Sequence, residues 1–365
     1  MHPATPPNGG QYLVRLLTMN EETLTTLRDI ADAAGVSVAS VSKVLNNRTG
    51  VSDESRQKVL ALAEQLGYQG RMARALKRAG IGKTAMIVPA EYYSGSQFYE
   101  DIIRGALDEA AANSLDLEVR LVASAWNNAT EIDDALRLGE NGAIIAIGLD
   151  DRAMIDRIAE CGVPAVLING MDRSMRIDTV LPDNWSAGWL ATRRLLEAGH
   201  REIMHVTLPR RLSMLRRLEG FRQAIEEAGI PFDPERHILD LGKMDLPETH
   251  AQLAIRQAFD SGRLSKVTAF FCSMDVVALG VMQGLQGKGF TVPDDYSIVG
   301  MDDVAVATHS RPPLTTMRID RAELGRKGIQ LLTNRIANPN DNVARINLGV
   351  KLVERATIAP PRVRS

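Results

Sequence analysis

Val38, Ala39 and Lys43 fall within six consecutive positions, on the opposite side of a short segment from Val41, Val44 and Leu45. Spacings of three and four put each set on its own face of a helix. Two small apolar residues beside a lysine suit a surface that must approach a nucleic-acid groove closely. The small side chains can touch thymine methyls, and the ammonium can reach guanine acceptors or a phosphate. The residues upstream position this helix. Thr26 can cap a first helix whose inner side is Leu27, Ile30, Ala31 and Ala34, and Gly35 suits the positive φ that would end it. Ser37 then stands where an N-cap is needed, opening a second helix from Val38 to Leu45. A third is expected from Ser52, burying Val59, Leu62, Ala63 and Leu66 and ending at Gly67. A turn-linked pair of this kind lays its second helix in a major groove. Charge agrees, since nine basic residues face five acidic ones between residues 26 and 80 although the whole chain carries −2.

Other chemistries find no support. Gly82-Lys83-Thr84 suggests a phosphate loop, but the glycine needed at position 77 is Lys77. The six histidines include no pair at metal-ligand helical spacing, and no Gly-x-Ser-x-Gly stretch occurs. No enzyme, metal or cofactor is expected. Cys161 and Cys272, in hydrophobic surroundings, are predicted to be buried free thiols in a reducing compartment. No apolar run approaches the ~18 residues of a membrane span. The stretch from Gln11 to Leu17 is too short for a signal peptide. A cytoplasmic protein is expected. Residues 1–25, with Pro3, Pro6, Pro7, Gly9 and Gly10, are expected to be a disordered extension, with Met19 as a candidate translation start.

From Thr84 onward, short apolar runs alternate with amphipathic segments. Strands are expected at Ala85–Val88, Leu117–Val122, Ala143–Ile147, Ala165–Ile168, Glu202–Val206, Ala269–Cys272 and Ser297–Val299. Helices are expected at Phe98–Asn113, Trp185–Ala198 and Leu215–Ala228. This alternation predicts an α/β, doubly wound parallel-sheet architecture, in two lobes rather than one sheet. The expected organisation is the extension, an all-α head at 26–68, a hinge and linker at 69–82, and the two-lobed part at 83–365. Ligands of doubly wound folds bind beyond the carboxyl ends of strands. Asn169 and Asp302 follow two expected strands, one able to donate and accept, the other to accept from two sugar hydroxyls.

The head resembles that of the LacI/GalR family of bacterial regulators, on Ala31, Ala34-Gly35-Val36-Ser37, Val41-Ser42, Leu45-Asn46, Val51-Ser52 and Leu66-Gly67-Tyr68. Farther on, Arg104-Gly105, Ile168-Asn169, Gly199-His200-Arg201, Arg217-Leu218-Glu219-Gly220-Phe221, Asp275 to Gly280, Val292 to Asp295, Val299 to Asp303 and Pro312 to Thr316 resemble the family's periplasmic-binding-protein-like sensor. The resemblance implies a homodimer on a pseudo-palindromic operator of double-stranded DNA, regulated by a small effector. By position, Val38, Ala39 and Lys43 would read bases. Thr26, Ser37, Ser40, Ser42 and Asn46 would hold phosphates, with Leu27 beside them in the DNA-binding set. Residues 71–78 resemble the family's hinge helix, with Leu76 as the minor-groove wedge. Arg217 matches an effector-gripping arginine, and Phe98 and Tyr99 match positions lining the N-terminal side of the pocket. Met274, Asp275, Asn169 and Asp302 complete the implied effector set.

Departures narrow these expectations. Tyr68-Gln69-Gly70 is one residue shorter than the family's usual run into the hinge, and lacks its proline. Ser273-Met274-Asp275 stands where Ala-Asn-Asp is common, and Met244 where an aromatic often stacks on the ligand. Loss of the stacking surface favours a sugar or sugar derivative over a flat purine. A solute-binding protein of a transport system shares the sensor architecture but needs an export signal and has no basic head. A regulator answering to a phosphorylated metabolite or a protein partner is the other alternative. The absence of a heptad repeat before Ser365 favours a dimer over a tail-tethered tetramer.

Overall fold

In this computed structural model the described residues are 25–45, 49–66, 83–93, 96–123, 142–242 and 246–362. The chain divides into two compact units, residues 1–74 and 75–365.

The first unit is α-helical. Helix α1 (Leu27–Ala34) opens on a capping box in which Asp29 N–H donates to Thr26 Oγ1 and Thr26 N–H donates to the Asp29 carboxylate. It ends at Gly35, whose φ of 69° is left-handed. Helix α2 (Val38–Leu45) follows at once, with the Ser40 amide donating to Ser37 Oγ at 3.1 Å. Helix α3 (Asp53–Gln65) starts from Ser52, whose Oγ accepts from the Ser55 amide. Ile30, Ala31, Ala34, Val41, Val44, Val59 and Ala63 form the core, with Leu27, Leu45 and Leu62 packed against it. Leu66 departs from expectation. It lies past the last turn of α3 and is 39% exposed, while its carbonyl accepts from Thr25 Oγ1.

The second unit holds two six-stranded sheets. The first is β11(Arg345–Leu348)-β5(Asp178–Pro182)-β4(Ala165–Ile168)-β3(Ala143–Ile147)-β1(Thr84–Pro89)-β2(Leu117–Val122), parallel throughout. The second is β12(Lys351–Val353)-β10(Thr315–Arg318)-β9(Ser297–Asp302)-β8(Ala269–Cys272)-β6(Ile203–Thr207)-β7(Ile238–Asp240). It is parallel except where β12 runs against β10. Strands β1, β3 and β8 are buried along their whole length, as parallel strands covered on both faces must be.

Three crossings join these lobes. The chain passes from β5 into α7 (Asn184–Glu197), which packs on α8 (Leu212–Glu227) in the C-terminal lobe. It returns from β10 through α13 (Arg321–Ala337), which packs on α5 (Gln97–Ala112) in the N-terminal lobe. It crosses last from β11 to β12. Strands β5 and β10 both lead out from their carboxyl ends, so the carboxyl ends of both sheets face the crossings. A strand entering the C-terminal lobe from that side runs opposite to its neighbours, which explains the one antiparallel pair. Among the remaining described helices, α4 (Ala90–Tyr93) follows β1, α6 (Arg152–Glu160) covers the first sheet, and α9 (Pro234–His237) precedes β7. Helices α10 (Pro247–Asp260) and α11 (Asp275–Gln286) pair on the second sheet, and α12 (Ala305–His309) follows β9.

Both cysteines are free, but only Cys272 is buried. Cys161 caps α6 and is half-exposed, its thiol donating to the Ile158 carbonyl.

Helices α7 and α8 touch backbone to backbone through reciprocal glycines. A Cβ on Gly188 would lie 2.0 Å from the Arg217 carbonyl oxygen, and one on Gly220 would lie 2.0 Å from that of Trp185. Alanine gains helix propensity but cannot be housed without moving a helix. Gly188→Ala is expected to cost about 1–3 kcal/mol, read from the urea midpoint. An unchanged midpoint would show slack between the two helices.

Candidate functional site

The DNA-facing candidates lie on one surface of α2. Val38, Ala39 and Lys43 are exposed, while Val41 and Val44 on the opposite face are buried. Ser37 is exposed and Ser40 half-buried, their hydroxyls 2.9 Å apart. Thr26 is exposed at the start of α1, its hydroxyl engaged with Asp29 at 2.8 Å. Leu27 and Ser42 are half-buried. The two N-caps hold the amide ends of α1 and α2 in order, and such ends attract phosphate. Asn46 and Leu76 lie outside the described residues, as do Met244 and the whole of the hinge at 69–82.

In the second unit the centre of the cleft between the lobes is Arg217 on α8, buried at 2% exposure. Its Nε donates to Asn184 Oδ1 at 2.9 Å and its Nη1 to the Ser273 carbonyl at 2.5 Å. Its Nη2 stands 3.5 Å from Asp302 Oδ1. A relaxed guanidinium–carboxylate contact is nearer 2.8 Å. The pair is therefore half-made, and a ligand oxygen that shifts the Asp302 carboxylate could improve it. Burial pushes Asp302 up to about 6, although Arg217 and Arg321 pull it back. Burial likewise lowers the Arg217 guanidinium, with Asp302 opposing.

Across the cleft, Asn169 follows β4 in a left-handed backbone conformation, φ 54°. Its Nδ2 donates to the Tyr99 hydroxyl at 3.1 Å. Its Oδ1 is buried and has no partner among the described residues, and the same holds for Ser273 Oγ at the end of β8. Tyr99 stacks on Tyr92 at 4.1 Å, and Phe98, half-buried, meets the Tyr99 ring edge-on at 5.1 Å. Burial pushes the Tyr92 phenol up to about 12 and raises Tyr99 as well, so both keep their protons at neutral pH.

Sequence reasoning passed over Arg211, the residue that closes this wall. It caps the start of α8 in the C-terminal lobe. Its Nη1 reaches the Tyr99 hydroxyl at 2.6 Å and the Tyr92 hydroxyl at 3.2 Å, its Nη2 the Gly148 carbonyl at 3.2 Å, and its Nε the Asp150 carboxylate. All four partners belong to the N-terminal lobe. Burial works against this charge, but the phenols and Asp150 more than offset it and hold the guanidinium protonated. Its position just past the carboxyl end of β6 was the available signal.

Two expected effector residues are placed differently from Asn169 and Arg217. Met274 is half-buried against the core of the C-terminal lobe. Asp275 is buried and spends both oxygens on the fold, accepting from Thr316 Oγ1 at 2.5 Å and from the Val304 amide at 2.9 Å. It braces the loop after β9 and so acts on the site through Asp302.

Comparison with known proteins places both units. Residues 26–70 match the profile described as bacterial regulatory proteins, lacI family, and residues 192–358 match a periplasmic binding protein-like domain. The ribose operon repressor of Haemophilus influenzae is 31% identical over 347 residues, covering 92% of this chain and 99% of that protein. The transcriptional regulator DegA of Bacillus subtilis is 29% identical, covering 93% and 96%. A complex of the regulator CelR with cellobiose superposes with a TM-score of 0.67 at 26% identity, covering 91% and 99%. The lac repressor dimer bound to operator and an anti-inducer gives 0.64 at 25%, covering 92% and 100%.

Asp275 makes the site's surroundings sensitive to pH. Burial, with Asp302 adding to it, pushes this carboxyl up to about 8 against the pull of Thr316 and Val304. A carboxyl raised above its unfolded value near 4 stabilises the fold as the acid. That stability is fully present below about pH 4 and is lost as pH rises through about 8. Asp275→Asn keeps the shape of the acid without titrating. The melting temperature of the wild type should fall relative to that of the variant between pH 5 and 8. Parallel curves would show that Asp275 is already ionised in the fold.

Proposed function

Since the chain belongs to the lacI family of bacterial regulatory proteins, a family of DNA-binding transcription regulators rather than enzymes, we propose that it is a repressor whose operator affinity answers to a sugar or sugar derivative. On this reading Val38, Ala39 and Lys43 read base edges, one α2 per half-site of a pseudo-palindromic operator. Thr26, Ser37, Ser40, Ser42 and Asn46 position the phosphates, Leu27 lies beside them, and Leu76 wedges the minor groove. The working form is a homodimer, with the head at 26–68, the hinge at 69–82 and the sensor at 83–365.

The observation that carries the effector class is the state of charge in the cleft. Arg211 is matched by Asp150 and Arg217, at longer range, by Asp302, so neither of these two guanidinium groups stands without a carboxylate for a phosphate to claim. What the cleft offers is a half-made ion pair, the orphaned Asn169 Oδ1 and Ser273 Oγ, and the two tyrosine hydroxyls. Neutral hydroxyls can both donate to Asp302 or Asn169 and accept from Arg217. Phe98 and Tyr99 would supply the apolar flank for a sugar ring. The names of two relatives, a ribose operon repressor and a cellobiose complex, point to the same class. A ligand that prefers one cleft state by about 3 kcal/mol changes operator affinity about a hundredfold.

Two substitutions test the two halves separately. The operator probe is a duplex selected by the wild-type protein from a random pool. Lys43→Ala is expected to weaken binding to it by about 1–3 kcal/mol and to relax preference at one base position, measured by anisotropy over single-base variants. Equal weakening on every sequence would make Lys43 a phosphate contact.

Arg217→Ala should bind the same duplex as the wild type does and lose the calorimetric response to a panel of free sugars. Arg217→Lys should lose it too, since a point charge cannot serve Asn184, Ser273 and Asp302 together. A wild type that ignores every free sugar and binds a sugar phosphate would overturn the effector class.

A further inference from the structure

Strand β9 ends at Asp302, and this residue and the next have consecutive left-handed backbone, φ 108° at Asp302 and φ 52° at Asp303. Non-glycine residues adopt such backbone only when their surroundings hold it. Three guanidinium groups do so here. Arg355 and Arg318 take the two Asp303 oxygens at 2.6 Å each. Arg321 donates to the main-chain carbonyls of Asp302 and Asp303, the second at 3.2 Å.

Arg321 differs from the other two in where else it reaches. Its Nε and Nη2 hold Asp101 on α5 at 3.0 and 2.9 Å. One planar fork thus joins the turn that carries Asp302, in the C-terminal lobe, to a helix of the N-terminal lobe. Its side chain is only 12% exposed, so solvent and salt screen these contacts weakly. The helix it grips is stiffly mounted. Helix α13, which Arg321 opens, meets α5 so closely that a Cβ on Gly325 would lie 2.1 Å from the Ile102 carbonyl oxygen. Backbones in contact leave no room for independent movement. A second link runs alongside, where the Ala305 amide donates to Gln97 Oε1 at 2.8 Å. Gln97 is the first residue of α5.

We propose that Arg321 is a positioning residue of the effector site, holding the left-handed turn so that the Asp302 carboxylate faces Arg217, and passing displacement of that turn to the first turn of α5. The inference rests on the reading of the cleft as the effector site. A ligand hydroxyl that draws the Asp302 side chain moves a residue whose own carbonyl is held by Arg321, and through Asp101 that movement is felt in the other lobe. Arg321 thus stands in a continuous chain of contacts that has one end in each lobe.

The Ala305 amide supplies a readout that needs no ligand, because its acceptor lies on the opposite lobe. Hydrogen exchange is followed by mass spectrometry on the full-length protein, in segments 96–103 and 300–309, with β3 as control. Arg321→Met should speed exchange in both segments about tenfold or more and leave β3 unchanged. Arg321→Lys should restore part of the protection, and adding Asp101→Asn to Arg321→Met should change nothing further. Unaltered exchange in either segment, or acceleration that includes β3, overturns the proposal, the latter because it marks general loss of structure. On the selected duplex, Arg321→Met should keep wild-type affinity within about threefold. It should also lose most of the response to whichever of D-ribose and cellobiose shifts wild-type binding. A full response in the variant would overturn the coupling. If neither sugar moves the wild type, the active sugar of the calorimetric panel takes their place, a panel with no active sugar sinks the effector reading, and the exchange result still decides the clamp.

Discussion

A buried guanidinium governs this sensor. Arg217 is removed from water, and a charge so placed costs several kcal/mol unless polar groups surround it. Its partners come from three separate pieces of chain. Asn184 stands at the first crossing between lobes, Ser273 at the end of β8, and Asp302 at the end of β9. The doubly wound topology is what gathers them, since the carboxyl ends of the strands converge where the chain changes lobe. Two partners sit at good hydrogen-bond distance and the third does not. That imbalance distinguishes the cluster from a merely structural ion pair. A saturated buried charge has nothing to offer a ligand, whereas one with a 3.5 Å contact to a carboxylate held up to about 6 by burial can be improved by a bridging hydroxyl.

Arg211 sets the reference against which any ligand must act. It belongs to one lobe and finds Asp150, Tyr92, Tyr99 and the Gly148 carbonyl on the other, so the chain closes the cleft on its own side chain. A ligand shifts this arrangement only by the difference in its contacts with the closed and opened forms. On the proposed reading of the cleft, ligand and inter-lobe contacts would therefore use the same atoms. The Tyr99 hydroxyl serves Asn169 and Arg211 at once, and an effector oxygen in the cleft would compete with one or replace the other.

How much of this was legible in the sequence follows from what kind of burial each element uses. Strands β3, β4 and β8 are apolar runs and lie at the residues expected of them, and so does β2, although Glu118 and Arg120 interrupt it and as an edge strand it buries only Val122. Strands β5 and β10 escaped because their buried positions are partly polar, and β11, at a sheet edge, because none of its residues is fully buried. Asp178 in β5 is satisfied by both ends of the Arg335 fork and by the Ala344 amide. Thr315 in β10 is satisfied through Thr357 and Arg355. Periodicity of apolar residues cannot register burial that is paid for by hydrogen bonds between distant segments. The site divides the same way. Asn169 and Asp302 were readable as residues at strand ends, while the roles of Arg211 and Arg321 exist only through partners far off in the chain. The resemblance supplied Arg217. It could not show that Asp275 is consumed by Thr316 and Val304.

The head works by a different economy of forces. Its core consists of Ile30, three valines and three alanines with a few half-buried leucines, and so small a core contributes little on its own. Local interactions supply what packing cannot. The Thr26–Asp29 box and the Ser37 and Ser52 caps fix the N-terminal ends of all three helices, and the left-handed Gly35 ends the first. Two of these caps are also residues assigned to phosphates. The two roles are compatible, because a hydroxyl that orders the first turn of a helix leaves the remaining amides of that turn aligned and unbonded, which is the arrangement a phosphate oxygen requires. The groove-facing side of α2 can then consist of small and basic residues alone, since Val41 and Val44 on its other side carry its packing. On the proposed reading of α2, stability and recognition are drawn from opposite faces of one eight-residue helix, and the reading face could differ between relatives without touching the residues that fold the head.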